Sequence, residues 1–314
     1  MKKQIAYTLL ITTTIIWGLA FVFQKDASVI PPFSVGMLRS LFAAVFLLCV
    51  MPITDRLTKN GRGASRQKLF FLDFNRHELI SGAMLGVIIT AATAFQQYGL
   101  GGGTDAGKAA FITALYVVAV PIMSTLLGKK PSLTVIISIP IAILGFFLLC
   151  IKPGATLELS DLLVLVCAII FAVHIIVVDR YSQRCDGVRM SFIQFVVAFL
   201  LNGIIALIFE PGVELAVIAD ILPSVLYLGL FSSGMGYTMQ IIGQRDVDPT
   251  VASIILSMES VFGAIFAAMV LNERMIGREY IGCAIVLVAV ILAQLDTARI
   301  RKWAENLSRG KKHE

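Results

Sequence analysis

Glu259 stands inside a long apolar stretch of the sequence, where a carboxyl group is costly and therefore suggests a function. It could bind an ammonium group or carry a proton. A protonated or ion-paired structural residue is an alternative of equal weight. Helical spacing places Ser260 about 100° and Ser257 about 200° around the axis from Glu259, so Ser260 is the expected companion in a cavity.

Arg39 lies in another apolar stretch, and its guanidinium group could hold a carboxylate of an amino-acid-like molecule. We favour a structural role, because at this depth the long side chain can extend to the external interface or to a fixed salt bridge. The counterpart of Arg39 in the second half of the chain is Gln194, which is a candidate for the same two roles.

The remaining candidates for contact with a bound molecule are neutral or aromatic. His174 is the only histidine within an apolar stretch and could titrate near neutral pH, although a neutral packing histidine explains it as well. The other candidates are Trp17, Gln97, Tyr116, Tyr237 and Gln240. Such groups suit an organic solute better than a hard metal ion, which prefers a carboxylate cluster, and we expect no metal and no cofactor.

These residues are exceptions in a very apolar chain. Hydrophobic residues make up 58% of the 314 residues and charged residues only 15%. A soluble domain of this size could not bury so much apolar surface, because surface area grows too slowly with mass. In lipid, a helix satisfies all its own backbone polar groups, so the composition predicts an all-α polytopic membrane protein. The five cysteines show no CxxC spacing and indicate neither a disulfide set nor a zinc site.

Ten stretches meet or approach the length of about 20 residues that a transmembrane helix needs. We number these predicted spans one to ten: 5–23, 33–51, 79–100, 109–127, 133–151, 162–178, 190–209, 221–242, 251–271 and 280–295.

The basic residues predict the orientation of the spans. With the N-terminus in the cytoplasm, 20 of the 26 Lys and Arg residues fall on the cytoplasmic side and only five outside, with Arg39 inside a span. We therefore expect a multi-pass protein of the plasma (inner) membrane with both termini cytoplasmic, ending in a basic tail at 296–314. The formal charge of +6 is then an orientation signal, and no nucleic-acid partner is expected.

The second half of the chain echoes the first at an offset of 143 residues. Asp105 opens span four and Asp248 opens span nine, and Tyr116 aligns with Glu259. Each half, 5–151 and 162–295, holds five spans. Because five is odd, the halves insert with opposite topology, which is typical of inverted-repeat transporters with a substrate site between the repeats.

The order and spacing of several of these residues resemble the motifs of a known family. Trp17-Gly18, Arg39 and the runs at 257–262 (SMESVF) and 271–274 (LNER) are similar to the EamA family of the drug/metabolite transporter superfamily. The resemblance covers residues 5–295 and implies ten helices in two inverted five-helix repeats. It also implies a secondary transporter that exports a small metabolite, such as an amino acid, a derivative or a drug-like compound, by alternating access.

We accordingly expect a central cavity lined by spans one, three, four, six, eight and nine. The expected partners are a small-molecule substrate and the lipid bilayer, with protons, carried by Glu259 or His174, as a further candidate; the oligomeric state is left open. Two alternatives stay open beside the transporter. An intramembrane enzyme acting on a lipid would need a nucleophile–base pair or a metal constellation, and a non-transporting scaffold would not need so many polar residues at membrane depth.

Overall fold

The computed structural model describes residues 3–59, 74–129, 131–150, 158–270 and 276–294. The basic tail predicted at 296–314 lies outside the described residues.

The described residues form helices joined by short connections. The α-helices are α1 (Lys3–Asp26), α2 (Pro32–Lys59), α3 (Arg76–Gly101), α4 (Ala106–Ala114), α5 (Tyr116–Leu126), α6 (Leu133–Cys150), α7 (Leu159–Tyr181), α8 (Gly187–Phe209), α9 (Leu215–Asp220), α10 (Leu222–Leu226), α11 (Thr238–Gln244), α12 (Pro249–Leu256), α13 (Glu259–Val270) and α14 (Gly277–Gln294). A 3₁₀ turn, Ala27–Val29, follows α1. A π-helical segment, Tyr227–Tyr237, joins α10 to α11.

Eight helical stretches within the described residues are long and apolar enough to cross a membrane. They correspond to spans one to four and six to nine. Spans five and ten correspond to α6 and α14, whose apolar parts, Leu133–Leu148 and Tyr280–Ala293, are shorter. Large apolar side chains face outward, among them Leu207 (86% exposed) and Leu126 (82% exposed), as expected for helices surrounded by lipid. The described part of the chain is all-helical, and the chain is a multi-pass membrane protein.

Spans four and nine are each interrupted near the middle, which the apolar pattern did not predict. α4 ends at Ala114 and α5 begins at Tyr116, while α12 ends at Leu256 and α13 begins at Glu259. At each break, a backbone hydrogen bond joins two residues that are three positions apart, and these two hydrogen bonds lie at equivalent positions, 143 residues apart in the sequence. The N–H of Leu115 donates to Ile112 O, and the N–H of Met258 donates to Ile255 O, both over 3.1 Å. Glu259 is therefore the first residue of a half-helix and not a mid-helix residue.

The π-helical segment is a second irregular feature, within span eight. It runs for 11 residues, whereas π-helix is rare and occurs mostly as single turns at functional sites. Two of its carbonyl oxygens accept hydrogen bonds from α1: Ser232 O from Trp17 Nε1 over 3.0 Å, and Gly236 O from Thr13 Oγ1 over 3.3 Å. The segment is thus held against α1, with its serine hydroxyls available to other neighbours.

The helices pack in pairs drawn from the two halves of the chain. α6 packs on α14, α2 on α8 and α3 on α7, while α1 packs on the π-helical segment and α13. Glycines allow the closest approaches: a Cβ added at Gly82 or Gly86 of α3 would lie 2.6 Å from the Cβ of Ile193 or Val197 of α8. The spacing Gly82-x-x-x-Gly86 is that of a small-residue contact between transmembrane helices, which agrees with this geometry.

Polar contacts join the helices near their ends. Lys108 Nζ lies 2.5 Å from Asp161 Oδ2 and connects the start of α4 to that of α7. At the opposite end of the bundle, Arg189 of α8 contacts both carboxylate oxygens of Asp55 of α2, over 2.8 and 2.9 Å. These contacts lie away from the polar residues in the middle of the spans, which form the site described next.

Candidate functional site

A cavity lies between the two halves of the chain. Its lining comes from spans one, three, four, six, eight and nine, with Arg39 added from span two: Trp17, Ala20, Phe21, Gln24, Arg39, Gln96, Thr113, Tyr116, Phe171, Ser232, Tyr237 and Glu259. Five of the residues singled out in the sequence are thus brought together here, and those five are Trp17, Arg39, Tyr116, Tyr237 and Glu259.

Glu259 occupies the cavity lining at the first turn of α13. Its side chain is 4% exposed, and its Oε1 accepts a hydrogen bond from the hydroxyl of Tyr116 over 3.1 Å. The N-terminus of a helix carries a partial positive charge, which stabilises a carboxylate. Ser260, the expected companion of Glu259, instead donates to Ala110 O of α4 over 2.8 Å and so joins the two broken spans outside the cavity.

Arg39 is buried inside the bundle, so its side chain does not extend to the external interface, which was one of the two structural arrangements expected for it. Its Nε donates to Ser233 Oγ over 3.0 Å and its Nη2 to Ser232 Oγ over 3.3 Å. Its Nη1 lies 3.5 Å from Gln24 Oε1. The physical reason is the π-helical segment, which presents two consecutive serine hydroxyls to the guanidinium group and so replaces water there.

Aromatic rings form the apolar part of the lining. The ring centroids of Trp17 and Tyr237 lie 4.7 Å apart at an angle of 49°. Trp17 is held by its hydrogen bond to Ser232 O, and Phe171 of α7 completes the aromatic surface. A planar or apolar group in the cavity would therefore contact rings that are fixed on three different spans.

The cavity is small, with a volume of about 30 Å³. Because one water needs roughly 10–15 Å³ measured this way, the cavity has room for two or three waters. This volume is smaller than that of an organic metabolite.

Four of the predicted site residues lie outside this cavity lining. The Nε2 of Gln97 donates to Gln24 O over 2.9 Å, which fixes α3 to α1. Gln240 pairs with Gln244 on its own helix over 3.4 Å. His174 and Gln194 contact each other over 3.3 Å, behind Tyr237.

The lining also contains polar residues that were not selected as site residues from the sequence. Gln24, Gln96 and Thr113 belong to spans already expected to line the cavity, and Gln96 Nε2 donates to Thr113 Oγ1 over 3.1 Å. Their polarity inside apolar spans was the available signal. Selecting Gln97 rather than Gln96 depended on the rotation of α3, which only packing sets. Within the described residues, no three His, Cys, Asp or Glu side chains lie together in a way that could hold a metal ion.

In the described residues, an all-helical bundle with lipid-facing apolar surfaces and a polar, aromatic cavity between its halves has the features expected of a multi-pass membrane transporter. The sequence profile of the EamA-like transporter family matches residues 4–151 and again residues 158–295. The chain therefore belongs to this family, within the drug/metabolite transporter superfamily.

Curated relatives are also named as transporters. An uncharacterized transporter of Archaeoglobus fulgidus is 29% identical over 229 residues, which cover 72% of this chain and 73% of that protein. An uncharacterized transporter of Methanothermobacter thermautotrophicus is 25% identical over 285 residues, 87% of this chain and 81% of that protein. A protein of known crystal structure has the same fold, with a TM-score of 0.72 and 17% identity over 93% of this chain and 98% of its own.

Proposed function

We propose that the protein is a secondary transporter that exports a small metabolite, an amino acid, a derivative or a drug-like compound, by alternating access. One observation carries the proposal: Arg39 and Glu259 line the same cavity, and among the described residues both are hydrogen-bonded only to neutral side chains. A buried charge without a counter-ion is costly. A solute that carries both an ammonium and a carboxylate would supply the missing partner of each.

The aromatic residues suit the rest of such a solute. Trp17, Tyr237 and Phe171 offer ring faces and edges to an apolar side group, and the ring faces of Trp17 and Tyr237 could also contact a cation. Binding at Trp17, Tyr116, Tyr237, Arg39 and Glu259 together would select for a zwitterion with an apolar side group over a simple amine or a simple acid.

We further propose that the halves are inverted repeats related by a two-fold axis. Equivalent glycines support this relation. A Cβ at Gly86 would lie 2.6 Å from Val197 Cβ and 2.7 Å from Gln194 O, and a Cβ at Gly229, 143 residues later, would lie 2.5 Å from Phe42 Cβ and 3.1 Å from Arg39 O. Each glycine therefore meets the other repeat in the same way, and Gln194 takes the place of Arg39. Rocking of the two repeats about this axis would open the small cavity to each side in turn.

Transport of matched solutes into proteoliposomes tests the proposed substrate class. The probes are radiolabelled phenylalanine, which is zwitterionic, phenethylamine, which is a cation, and 3-phenylpropionate, which is an anion. We expect phenylalanine to accumulate at least tenfold faster than in protein-free liposomes and than either analogue. Equal rates for the three probes would exclude recognition of both charges. If a wider panel of amphiphilic metabolites also showed no protein-dependent flux, transport itself would be excluded.

The orientation has its own test. We propose that the protein lies in the plasma membrane with both termini in the cytoplasm. In a background without native cysteines, Gly212→Cys, between α8 and α9, should react with an impermeant maleimide added to intact cells. Gln183→Cys, in the exposed connection between α7 and α8, should react only after permeabilisation. The reverse pattern would invert the orientation.

Proton coupling through Glu259 or His174 is a separate proposal. An exporter that exchanges its solute for protons should accelerate when a pH gradient is imposed across the proteoliposome membrane. Flux that is insensitive to the gradient would remove proton coupling and leave the transport proposal intact.

A further inference from the structure

Tyr237 stands between the cavity and a second group of buried polar side chains. On the cavity side, its ring contacts Trp17. It also contacts the rings of His174, at 5.5 Å, and Phe195, at 5.7 Å, neither of which lines the cavity. His174 and Gln194 are fully buried there, on α7 and α8. The solute-binding site proposed above does not include this pair, and only the separate proton-coupling proposal invokes His174.

The pair leaves two hydrogen-bonding atoms without a partner. His174 Nε2 and Gln194 Oε1 are 3.3 Å apart, and since the amide oxygen can only accept, the ring nitrogen donates. Among the described residues, His174 Nδ1 and Gln194 Nε2 then have no hydrogen-bond partner. One is an acceptor and the other a donor. If the amide is turned over, the roles exchange, and one donor and one acceptor still remain.

Within this pair, Gln194 occupies the position that Arg39 holds in the first repeat. Gly86 abuts the backbone of Gln194, just as Gly229 abuts the backbone of Arg39. The positions correspond, but Arg39 is charged and faces the cavity, whereas Gln194 is neutral and lies behind Tyr237. Buried polar atoms inside a membrane protein need hydrogen-bond partners, so a pair that leaves one free donor and one free acceptor calls for an occupant that can both accept and donate.

We propose that His174 and Gln194 form a second, neutral polar subsite, which Tyr237 closes off from the cavity. It takes a group that both donates and accepts a hydrogen bond, either water or a hydroxyl group of the transported molecule. The inference rests on the proposed transport function in one respect: the subsite lies on the path of the solute once Tyr237 moves.

Cysteine accessibility tests the subsite without any transported solute. In a background without native cysteines, Gln194→Cys is compared with Ala198→Cys, one turn further along α8 and equally buried in an apolar environment. The probe is the small, water-soluble reagent methanethiosulfonate ethylammonium, applied to proteoliposomes. We expect Gln194→Cys to react at least tenfold faster than Ala198→Cys. We also expect Tyr237→Ala to raise the rate at position 194 at least tenfold further, while Tyr237→Phe leaves it unchanged.

Equal rates at positions 194 and 198, with Tyr237 present and after Tyr237→Ala, would overturn the proposal. If Gln194→Cys does not yield a monodisperse protein, His174→Cys against Ala172→Cys on α7 gives the same comparison. Slower labelling in saturating tyrosine than in saturating phenylalanine would identify the occupant as a hydroxyl group of the transported molecule, and equally fast labelling in both would identify it as water. Fast labelling of Gln194→Cys, together with no flux of the transport probes, would support the subsite and contradict the transport proposal.

Discussion

The hydroxyl of Tyr116 donates a 3.1 Å hydrogen bond to Glu259, and the two residues are separated by the offset at which the chain repeats, 143 residues. Each begins the second half of a broken span. Under the proposed two-fold relation, a residue can contact its own equivalent only close to the axis. The pair therefore marks the place where the repeats meet, in the lining of the cavity.

Glu259→Gln should reduce solute flux at least tenfold, because the amide keeps the size of the side chain and loses its charge. A hydrogen bond to a charged group is worth about 1.5–3 kcal/mol, which corresponds to a loss of more than tenfold. Initial rates of phenylalanine uptake into proteoliposomes are the measurement. Tyr116→Phe, which removes only the hydroxyl, should have the smaller effect. Full activity of Glu259→Gln would contradict a role in binding.

Arg39→Met should lower stability as well as flux, because it leaves polar groups of Ser232, Ser233 and Gln24 without their donor. Each buried group left unsatisfied costs about 1–3 kcal/mol. The change in stability is measured as the shift in unfolding temperature of the protein in detergent, with size-exclusion chromatography as the readout of the folded fraction. A triple variant that adds Ser232→Ala and Ser233→Ala to Arg39→Met should recover part of the stability and none of the flux. Recovery of flux would show that Arg39 serves only to satisfy these groups.

Gly86→Ala and Gly229→Ala should each destabilise the bundle by about 1–3 kcal/mol, the usual cost of overpacking. The new methyl group would meet the Cβ of Val197 or Phe42 at 2.6 or 2.5 Å. Gly107→Ala in α4 is the matched control, since nothing lies within 4 Å of its added Cβ. Comparable unfolding temperatures for all three variants would argue against close contact of these helices.

Cys185, in the connection between α7 and α8, should react slowly with N-ethylmaleimide near neutral pH. Burial raises the pKa of its thiol, and the nearby carboxylates of Glu78 and Asp186 raise it further, against a lowering contribution from its contact with Ser81. Because the thiolate is the reactive form, a raised pKa moves the reactive range to higher pH.

Gln183→Cys, exposed in the same connection, is the control for that measurement, with each thiol studied as the single cysteine of the protein. As pH rises, the rate at Gln183→Cys should reach its plateau first, while the rate at Cys185 still increases about tenfold per pH unit. A common plateau for both thiols would contradict the raised pKa of Cys185.

Much of the architecture was available from the sequence, because apolar length alone decides which segments cross a membrane. Eight predicted spans correspond to helices long enough to do so, and the alignment of Tyr116 with Glu259 was visible in the repeat. The breaks at Leu115 and Met258 were not predicted. Neither has a glycine or proline at the break itself, so no helix-breaking residue marks it in the local sequence.

The candidate site was predicted less completely. Glu259, Tyr116 and Trp17 line the cavity, whereas Gln97 faces α1 and His174 lies behind Tyr237. A neighbouring residue on a helix is rotated by about 100°, so a small error in helix rotation exchanges Gln97 for Gln96. The burial of Arg39 depended on the π-helical segment of another span, which brings Ser232 and Ser233 to it.

Hydrophobic length and charge distribution act locally along the chain, so the sequence alone was sufficient to assign a multi-pass helical membrane protein with an internal repeat. Which polar residues share a cavity was set by the packing of the helices. That choice depends on helix rotation, on the two breaks and on contacts between residues as far apart as Arg39 and Ser233, none of which follows from local hydrophobicity. In this protein the decisive contact joins Tyr116 to Glu259, across the two halves of the chain.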